Sequence, residues 1–299
     1  MSRFTQGLVY GVSACLIWDV LPLYWKLVEE AGALEVLSHR GIWSLIFCFL
    51  FLALRRQIGE VIAIVRERRT LALLALAAGF LTVNWGVFIW SIMADRVVEA
   101  ALGYYITPLM NVAFGVLLLR EHLRRMQSFA VLLAAIGVGI ITFAYGQVPL
   151  VALLLAISWG TYSLIKKRLN LGALQSLTIE TCFAFLPNLG YLIYIERSGD
   201  ALFGQELGSS LLLFSAGIAT IIPLLLYNGA TVRLPLSTMG MLQYLTPSMM
   251  LLVGVFLNGE DMNVTKLAGF IFIWSALVLL SRDLLRSSRT IDDSVAKAL

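Results

Sequence analysis

Ten apolar stretches, each about long enough to cross a lipid bilayer, constrain this chain of 299 residues more than any other feature. A membrane-crossing helix needs about 20 predominantly apolar residues. The stretches fall at residues 5–26, 37–54, 71–92, 98–119, 127–145, 148–165, 173–195, 209–231, 236–257 and 265–282. They are continuous and lack the alternation of membrane barrels, so the pattern predicts helices. Hydrophobic residues make up 60% of the chain and charged residues only 13%, which excludes a soluble fold. We predict an all-α integral membrane protein with ten transmembrane helices.

The distribution of positive charge indicates how the chain sits in the membrane. If the N-terminus is cytoplasmic, 17 of the 22 Lys and Arg residues fall on the cytoplasmic side. The positive-inside rule then predicts that both termini are cytoplasmic. Residues 56–70 are polar enough to lie on the inner membrane surface, and residues 286–299 are expected to form a frayed tail. The short connections leave no room for a separate catalytic or nucleic-acid-binding domain.

The sequence repeats itself at an offset of about 140 residues. Gly32-Ala33-Leu34-Glu35 returns as Gly172-Ala173-Leu174-Gln175, and Tyr105-Ile106-Thr107-Pro108 returns as Tyr244-Leu245-Thr246-Pro247. Trp18 and Glu121 recur as Trp159 and Glu260. Each half contains five predicted spans, an odd number, so the second half enters the membrane from the opposite side. We therefore predict two inverted five-helix repeats, residues 1–146 and 147–299. Such repeats are typical of secondary transporters.

Matched interruptions in the two halves indicate where a transporter binds its substrate. Pro108 and Pro247 lie at corresponding positions near the middle of their predicted spans, and each follows a Thr and a Tyr. Polar and aromatic residues cluster at a similar depth. The predicted substrate-binding residues are Asn84, Trp85, Tyr104, Tyr105, Pro108, Asn111, Gln243, Tyr244 and Pro247.

We expect Asn84, Tyr105, Asn111 and Tyr244 to border one central cavity, because aromatic and amide groups offer stacking area and hydrogen bonds to a solute. Three structural alternatives remain open. A buried Asn often joins two helices, an aromatic residue often belongs to the interfacial belt, and a proline kink can simply shape helix packing.

Charged residues inside the membrane are costly and are therefore candidates for gating or coupling. The candidates are Asp19, His39, Arg40, Glu99, Glu180, Lys166 and Lys167. His39, Glu99 and Glu180 are the possible proton carriers. Counting residues from the predicted span edges separates Arg40 from Glu180 by roughly 15 Å along the membrane normal.

That separation predicts two polar clusters that could act as alternating gates. One would join Asp19 to Arg40 or His39, and the other would join Glu180 to Lys166 or Lys167. Static ion pairing without a gating role is the alternative.

Signatures of other functions are missing from the sequence. No glycine-rich loop with Lys and Ser/Thr for a nucleotide phosphate occurs, and no metalloprotease or serine-nucleophile motif occurs. Cys15, Cys48 and Cys182 lie within apolar stretches and show no metal-ligand spacing. The sequence thus predicts no catalytic residue, no metal site, no cofactor and no nucleic-acid partner.

Several ordered motifs resemble the RarD-like group of the drug/metabolite transporter superfamily, which is built from paired EamA-type repeats. The resemblance covers residues 7–285. The motifs are Glu35-x3-His39-Arg40-x2-Trp43-Ser44, Asn84-Trp85-x2-Phe88-Ile89-Trp90, Glu99-Ala100-x-Leu102-Gly103-Tyr104-Tyr105-Ile106-x-Pro108-Leu109, Glu121-x4-Met126-Gln127, Ile179-Glu180-Thr181 and Leu236-Ser237-Thr238-x-Gly240-x2-Gln243-Tyr244-x2-Pro247. The first span departs from the family's Trp-Gly-x-x-Pro pattern and reads Trp18-Asp19-Val20-Leu21-Pro22. A role for Asp19 therefore cannot be carried over.

The resemblance implies a ten-span permease of the bacterial inner membrane. Together with the inverted repeat, it predicts a secondary transporter that moves a small, amphipathic organic metabolite or drug-like solute by alternating access, with a proton as the candidate coupling ion. A non-transporting membrane sensor or scaffold with the same fold is the alternative. The sequence leaves the substrate, the direction of transport and the oligomeric state open.

Overall fold

The chain folds into a bundle of long helices in a computed structural model that describes residues 2–94, 96–249 and 264–296. We number the helices in chain order. They are α1 Arg3–Lys26, α2 Gly32–Leu54, α3 Ile58–Arg66, α4 Arg68–Met93, α5 Val97–Leu118, α6 Arg125–Tyr145, α7 Leu150–Leu169, α8 Ala173–Ser198, α9 Leu207–Thr231, α10 Leu236–Leu242 and α11 Val264–Ala296. A 3₁₀ helix, Glu29–Ala31, connects α1 to α2. Within these ranges the structure is helical and contains no strand, as the continuous apolar stretches predict.

Capping residues explain why several helices begin and end where they do. The Ser2 hydroxyl accepts a hydrogen bond from the Thr5 amide at the start of α1, 3.1 Å away. Gly146, Asn170 and Gly199 adopt the left-handed conformation directly after α6, α7 and α8. Glycine has no Cβ and asparagine tolerates this conformation better than most residues, so these residues terminate the helices at low cost.

Eight helices among the described residues are long and apolar enough to cross a membrane, namely α1, α2 and α4 to α9. The chain is therefore a multi-pass membrane protein. The predicted ninth span, 236–257, is not one continuous helix in its described part. Helix α10 ends at Leu242, a turn follows, and residues 245–249 are helical again. Pro247 then falls in a first helical turn, where its missing amide is tolerated. Residues 250–263 lie outside the described residues.

Two predictions concern segments near the membrane surface. Residues 58–66 form the short helix α3, which exposes Ile58, Ile62 and Val65 beside exposed arginines. An amphipathic helix of this kind suits a membrane surface. Helix α11 continues to Ala296, into the segment 286–299 that the sequence predicts as a tail.

The main helix contacts join the first half of the chain to the second. Helix α2 packs against α8 and α9, α4 against α7 and α8, and α5 against α7 and α10. Helix α1 packs against α9, and α6 packs against α11. At the α6–α11 crossing Gly137 and Gly269 face each other's carbonyl oxygens, where a side chain would collide with the neighbouring backbone. The two halves therefore form one interlocked bundle.

Candidate functional site

A cavity of about 100 Å³ lies between the central portions of α2, α4, α8 and α9. Two of these helices come from each half of the chain. The polar and charged residues that line it are Arg40, Ser44, Thr82, Glu180, Thr181, Asn188 and Thr220. Trp85 and several aliphatic side chains complete the wall. A mostly apolar wall with a few polar groups is the usual composition of a small-molecule site.

Most of the residues around the cavity, 14 of 17, come in pairs related by the repeat offset. Positions in α2 correspond to positions in α8 at an offset of 140 residues, and positions in α4 correspond to positions in α9 at 139. The pairs are Leu37 with Leu177, Arg40 with Glu180, Gly41 with Thr181, Ser44 with Ala184, Leu81 with Thr220, Thr82 with Ile221 and Trp85 with Leu224. The two halves thus contribute matching helix faces to one cavity.

Arg40 contributes a guanidinium group that has no acidic partner among the described residues. Its Nε donates a hydrogen bond to Thr220 Oγ1 over 2.9 Å. The guanidinium carbon lies 4.5 Å from the centre of the Trp25 ring and 5.2 Å from that of Trp85. These distances allow cation–π attraction to both indoles.

Glu180 carries the opposite charge, which is neutralised within the protein. Lys166 Nζ donates to Glu180 Oε1 at 2.5 Å and also to Ser176 Oγ at 2.5 Å. Tyr162 donates its hydroxyl to Glu180 Oε2 at 3.2 Å. The two charged side chains are 3% and 1% exposed, so the ion pair is almost fully buried. The predicted contact between Glu180 and Lys166 is present.

Two of the predicted substrate-binding residues lie at or near this cavity. Trp85 lines it. Tyr104 lies within electrostatic range of Arg40 and packs edge-on against Phe88, with ring centres 6.0 Å apart. Its side chain is partly exposed.

The four residues predicted to border one central cavity, Asn84, Tyr105, Asn111 and Tyr244, do not line the cavity described here. Asn84 joins two helices instead, because its amide donates to Leu155 O and to Ser158 Oγ on α7, both at 2.9 Å. The prediction used depth alone. Successive residues of a helix point about 100° apart, so residues at one depth can face different neighbours.

The remaining predicted residues have their contacts in α5, α10 and α11. Tyr105 packs against Phe270 of α11 with ring centres 5.5 Å apart, and Tyr244 is buried in the same apolar cluster. Asn111 donates to Gln243 Oε1. Gly240 packs against the carbonyl oxygen of Pro108, so the proline marks a close helix contact. Pro247 lies in the helical turn after the break. None of these residues lines the cavity.

Asp19 does not make its predicted contact with Arg40 or His39. Its carboxylate oxygens are buried and have no hydrogen-bond partner in the described part of the chain. Cys15 and Thr246 are its polar neighbours. The reason is the helix arrangement, because α1 packs against α9 and α10.

Three other gating candidates have structural partners away from the cavity. His39 accepts a hydrogen bond from Trp43 Nε1 at its Nδ1 and lies 3.8 Å from Glu35. Glu99 accepts the Val151 amide at 2.9 Å, at the start of α7, and contacts Arg96. Lys167 donates to the carbonyl of Leu234. These contacts hold helix ends and loops in place.

Sequence reasoning missed two carboxylates that connect the halves. Glu35 accepts the amides of Leu202 and Phe203 in the loop between α8 and α9, at 2.9–3.1 Å. We call this contact the Glu35 clasp. Its signal was visible, because Glu35 belongs to a repeated motif and recurs as Gln175.

The second carboxylate is Glu121, in the connection between α5 and α6. It accepts the amides of Leu236 and Ser237 at 2.6 and 2.9 Å and the Ser237 hydroxyl at 2.6 Å. The negative charge lies at the N-terminus of α10, where the helix dipole favours it. We call this contact the Glu121 clasp. It too belongs to a motif that the sequence repeats.

These features define a multi-pass α-helical membrane protein with a charged cavity between its two halves, which is the architecture of a solute carrier. The chain belongs to the EamA-like transporter family, whose domain matches residues 5–143 and again residues 148–282.

Curated relatives cover nearly the whole chain. It is 45% identical to Protein RarD of Streptomyces exfoliatus, over 95% of this chain and 90% of that protein. It is 43% identical to an uncharacterized transporter of Vibrio cholerae, over 94% of each chain. Protein RarD of Escherichia coli is 36% identical, over 95% of this chain and 97% of that protein. A solved crystal structure with 20% sequence identity shares the fold, with a TM-score of 0.70 over 93% of this chain and 98% of that chain.

Proposed function

We propose that this protein is a secondary transporter that moves a small organic solute across the bacterial inner membrane by alternating access. The observation that carries the proposal is the cavity whose wall is built from offset-related residues of both halves. In inverted-repeat transporters the substrate binds at the interface between repeats, near the membrane midplane. The lining residues lie within the central portions of their helices, which agrees with such a depth.

We propose two inverted repeats, residues 1–146 and 147–299, with ten spans and cytoplasmic termini, from the positive-charge distribution and the odd number of spans in each half. The pattern of helix contacts supports a two-fold relation between these halves. The repeat offset relates α1 to α7, α2 to α8, α4 to α9 and α6 to α11. When each helix is exchanged for its partner, the α1–α9 contact becomes the α4–α7 contact, and the α2–α9 contact becomes the α4–α8 contact. The contacts of α2 with α8 and of α6 with α11 map onto themselves. A two-fold relation between the halves produces this pattern.

Within this proposal Arg40 and Trp85, which line the cavity, contact the solute, and Tyr104 lies near Arg40. Among the three candidate proton carriers, Glu180 alone lines the cavity, whereas His39 contacts Trp43 and Glu35, and Glu99 accepts the Val151 amide. We therefore assign any proton coupling to the Glu180–Lys166 pair. No enzymatic role is proposed, and the relatives are named as transporters where their names state an activity.

Access to the cavity from both membrane sides tests the proposal without knowledge of the substrate. In a variant lacking Cys15, Cys48 and Cys182, a cysteine is introduced at Ala184, which lines the cavity. The matched control carries it at Leu186 on the same helix, which does not line the cavity and is exposed on the bundle surface. An impermeant maleimide is added to spheroplasts and to inside-out vesicles.

A transporter should show labelling of the Ala184→Cys variant from both sides, because its cavity opens to each side in turn. The Leu186→Cys variant should be labelled from neither side, because lipid covers that surface. Labelling of Ala184→Cys from one side only would contradict alternating access and would favour a sensor with a single-sided pocket.

A further inference from the structure

The hydrogen-bonding groups of Arg40 are mostly unused. A guanidinium offers five N–H donors. The Nε donor is taken by Thr220, and the four donors on the terminal nitrogens have no acceptor among the described residues. These nitrogens belong to a side chain that lines the cavity. The cavity therefore presents a group that is built to bind an oxygen-bearing anion.

The contacts of Arg40 with aromatic rings account for its charge but not for its hydrogen bonds. Burying an arginine inside a membrane span is costly. Cation–π contacts return part of that cost, and the Trp25 and Trp85 rings provide two. These contacts offset part of the cost of burial, but they leave the hydrogen-bonding capacity of the terminal nitrogens unsatisfied.

The other charges of the cavity wall do not supply that partner. Glu180 is the only acidic residue among the described residues that line the cavity, and its two oxygens bind Lys166 and Tyr162. Arg40 and Glu180 form no ion pair within 4 Å. With Arg40, Lys166 and Glu180 counted together, the site carries one uncompensated positive charge.

We infer that the cavity selects small organic anions bearing a carboxylate, and that Arg40 recognises the carboxylate while Trp85 contacts the rest of the solute. The inference rests on the proposed function and specifies its substrate class. Arginine binds carboxylates through two parallel hydrogen bonds, a geometry that a neutral amide cannot match and that lysine reproduces only in part.

Matched carboxylate and carboxamide probes test this inference on the purified full-length protein. The pairs acetate and acetamide, lactate and lactamide, and benzoate and benzamide have similar shapes and differ in charge. Binding is measured by isothermal titration calorimetry. At least one carboxylate should bind roughly tenfold or more tightly than its amide, as expected for the loss of a charge-assisted bond.

Three variants show whether Arg40 causes the preference. Arg40→Gln should remove it, and Arg40→Lys should retain a weaker preference because it keeps the charge but not the paired geometry. The control is Arg168→Gln, an exposed arginine at the end of α7, which should bind as the unchanged protein does. Carboxylates that bind no better than their amides, or a preference that survives in Arg40→Gln, would overturn the inference. If Arg40→Gln does not fold, the Arg40→Lys measurement decides.

Counterflow of the same labelled probes into proteoliposomes distinguishes this inference from the proposed function. Arg40-dependent binding of a carboxylate without flux of any probe would support the anion site and contradict transport. Flux of amides that is unaffected by Arg40 substitution would support transport and contradict the anion site.

Discussion

Arg40 in α2 and Glu180 in α8 are related by the 140-residue offset and line the same cavity, but their charges are balanced in different ways. Glu180 has an internal counter-ion, Lys166, in a nearly fully buried pair. Arg40 has two indole rings and one threonine hydroxyl. The comparison teaches that one half of the chain neutralises its charge within the protein, while the other half leaves its charge available to a ligand.

The largest difference between the two positions should appear in stability. Lys166→Met leaves Glu180 buried without its counter-ion and should lower the free energy of unfolding by about 3–5 kcal/mol. Arg40→Met leaves no opposite charge without a counter-ion, so it should lower the free energy of unfolding by clearly less. The measurement is the midpoint of unfolding in a denaturing detergent titration.

A double variant sharpens this test. Adding Glu180→Gln to Lys166→Met should recover most of the lost stability, because both charges of the buried pair are then gone. Arg168→Met is the exposed control. Equal stability of Lys166→Met and Arg168→Met would show that the Glu180 pair is not structural.

A smaller loss of stability is expected at a position where the two halves pack differently. Gly217 in α9 lies against the backbone of Trp43 and Ser44, with space for no side chain. Its offset-related residue, Ala78 in α4, lines the cavity. Gly217→Ala should therefore destabilise the protein by about 1–3 kcal/mol in the same titration. Gly79→Ala, whose new methyl group meets no atom within 4 Å, should be neutral or stabilising. Equal losses in both variants would contradict the close α2–α9 contact.

The smallest effect tests how Thr220 supports Arg40. The offset-related position, Leu81, has no hydroxyl, so this hydrogen bond exists in one half only. Thr220→Val should weaken binding of the preferred carboxylate by roughly threefold to tenfold, in line with one hydrogen bond of about 1 kcal/mol. Thr181→Val provides the matched control, because Thr181 lines the cavity but donates to carbonyls of its own helix. If calorimetric titration showed the same loss of binding affinity in both variants, the result would contradict the role of Thr220 in positioning Arg40.

The sequence predicted what depends on local pattern. The apolar stretches predicted most of the long helices. The Glu180–Lys166 contact followed because the residues lie on consecutive helices near a shared connection. The repeat offset, read from a few motifs, also relates the lining residues of the cavity.

The other site positions could not be predicted, because they depend on where each helix begins and on which way each side chain points around the helix axis. Helix α2 begins at Gly32, not at residue 37, so Arg40 lies about 12 Å along the axis from the helix start. This deeper position explains how it reaches the cavity of Glu180. Tyr104 and Tyr105 are neighbours in sequence, yet the first lies near Arg40 and the second packs on Phe270. Their predicted depths in the membrane are nearly the same and could not distinguish them. Only the packed structure shows which face of α5 contacts which helix.

The Glu35 and Glu121 clasps have a consequence for how fast such a protein could work. Each joins a carboxylate of the first half to backbone amides of the second, and consecutive spans place the clasps at opposite ends of the bundle. Both contacts are present in the same structure, so hydrogen bonds join the two halves at each end of the bundle. Hydrogen bonds to a charged group are worth about 1.5–3 kcal/mol each. We expect release of a clasp, and not the solute's residence in the cavity, to set the turnover time and its steep dependence on temperature.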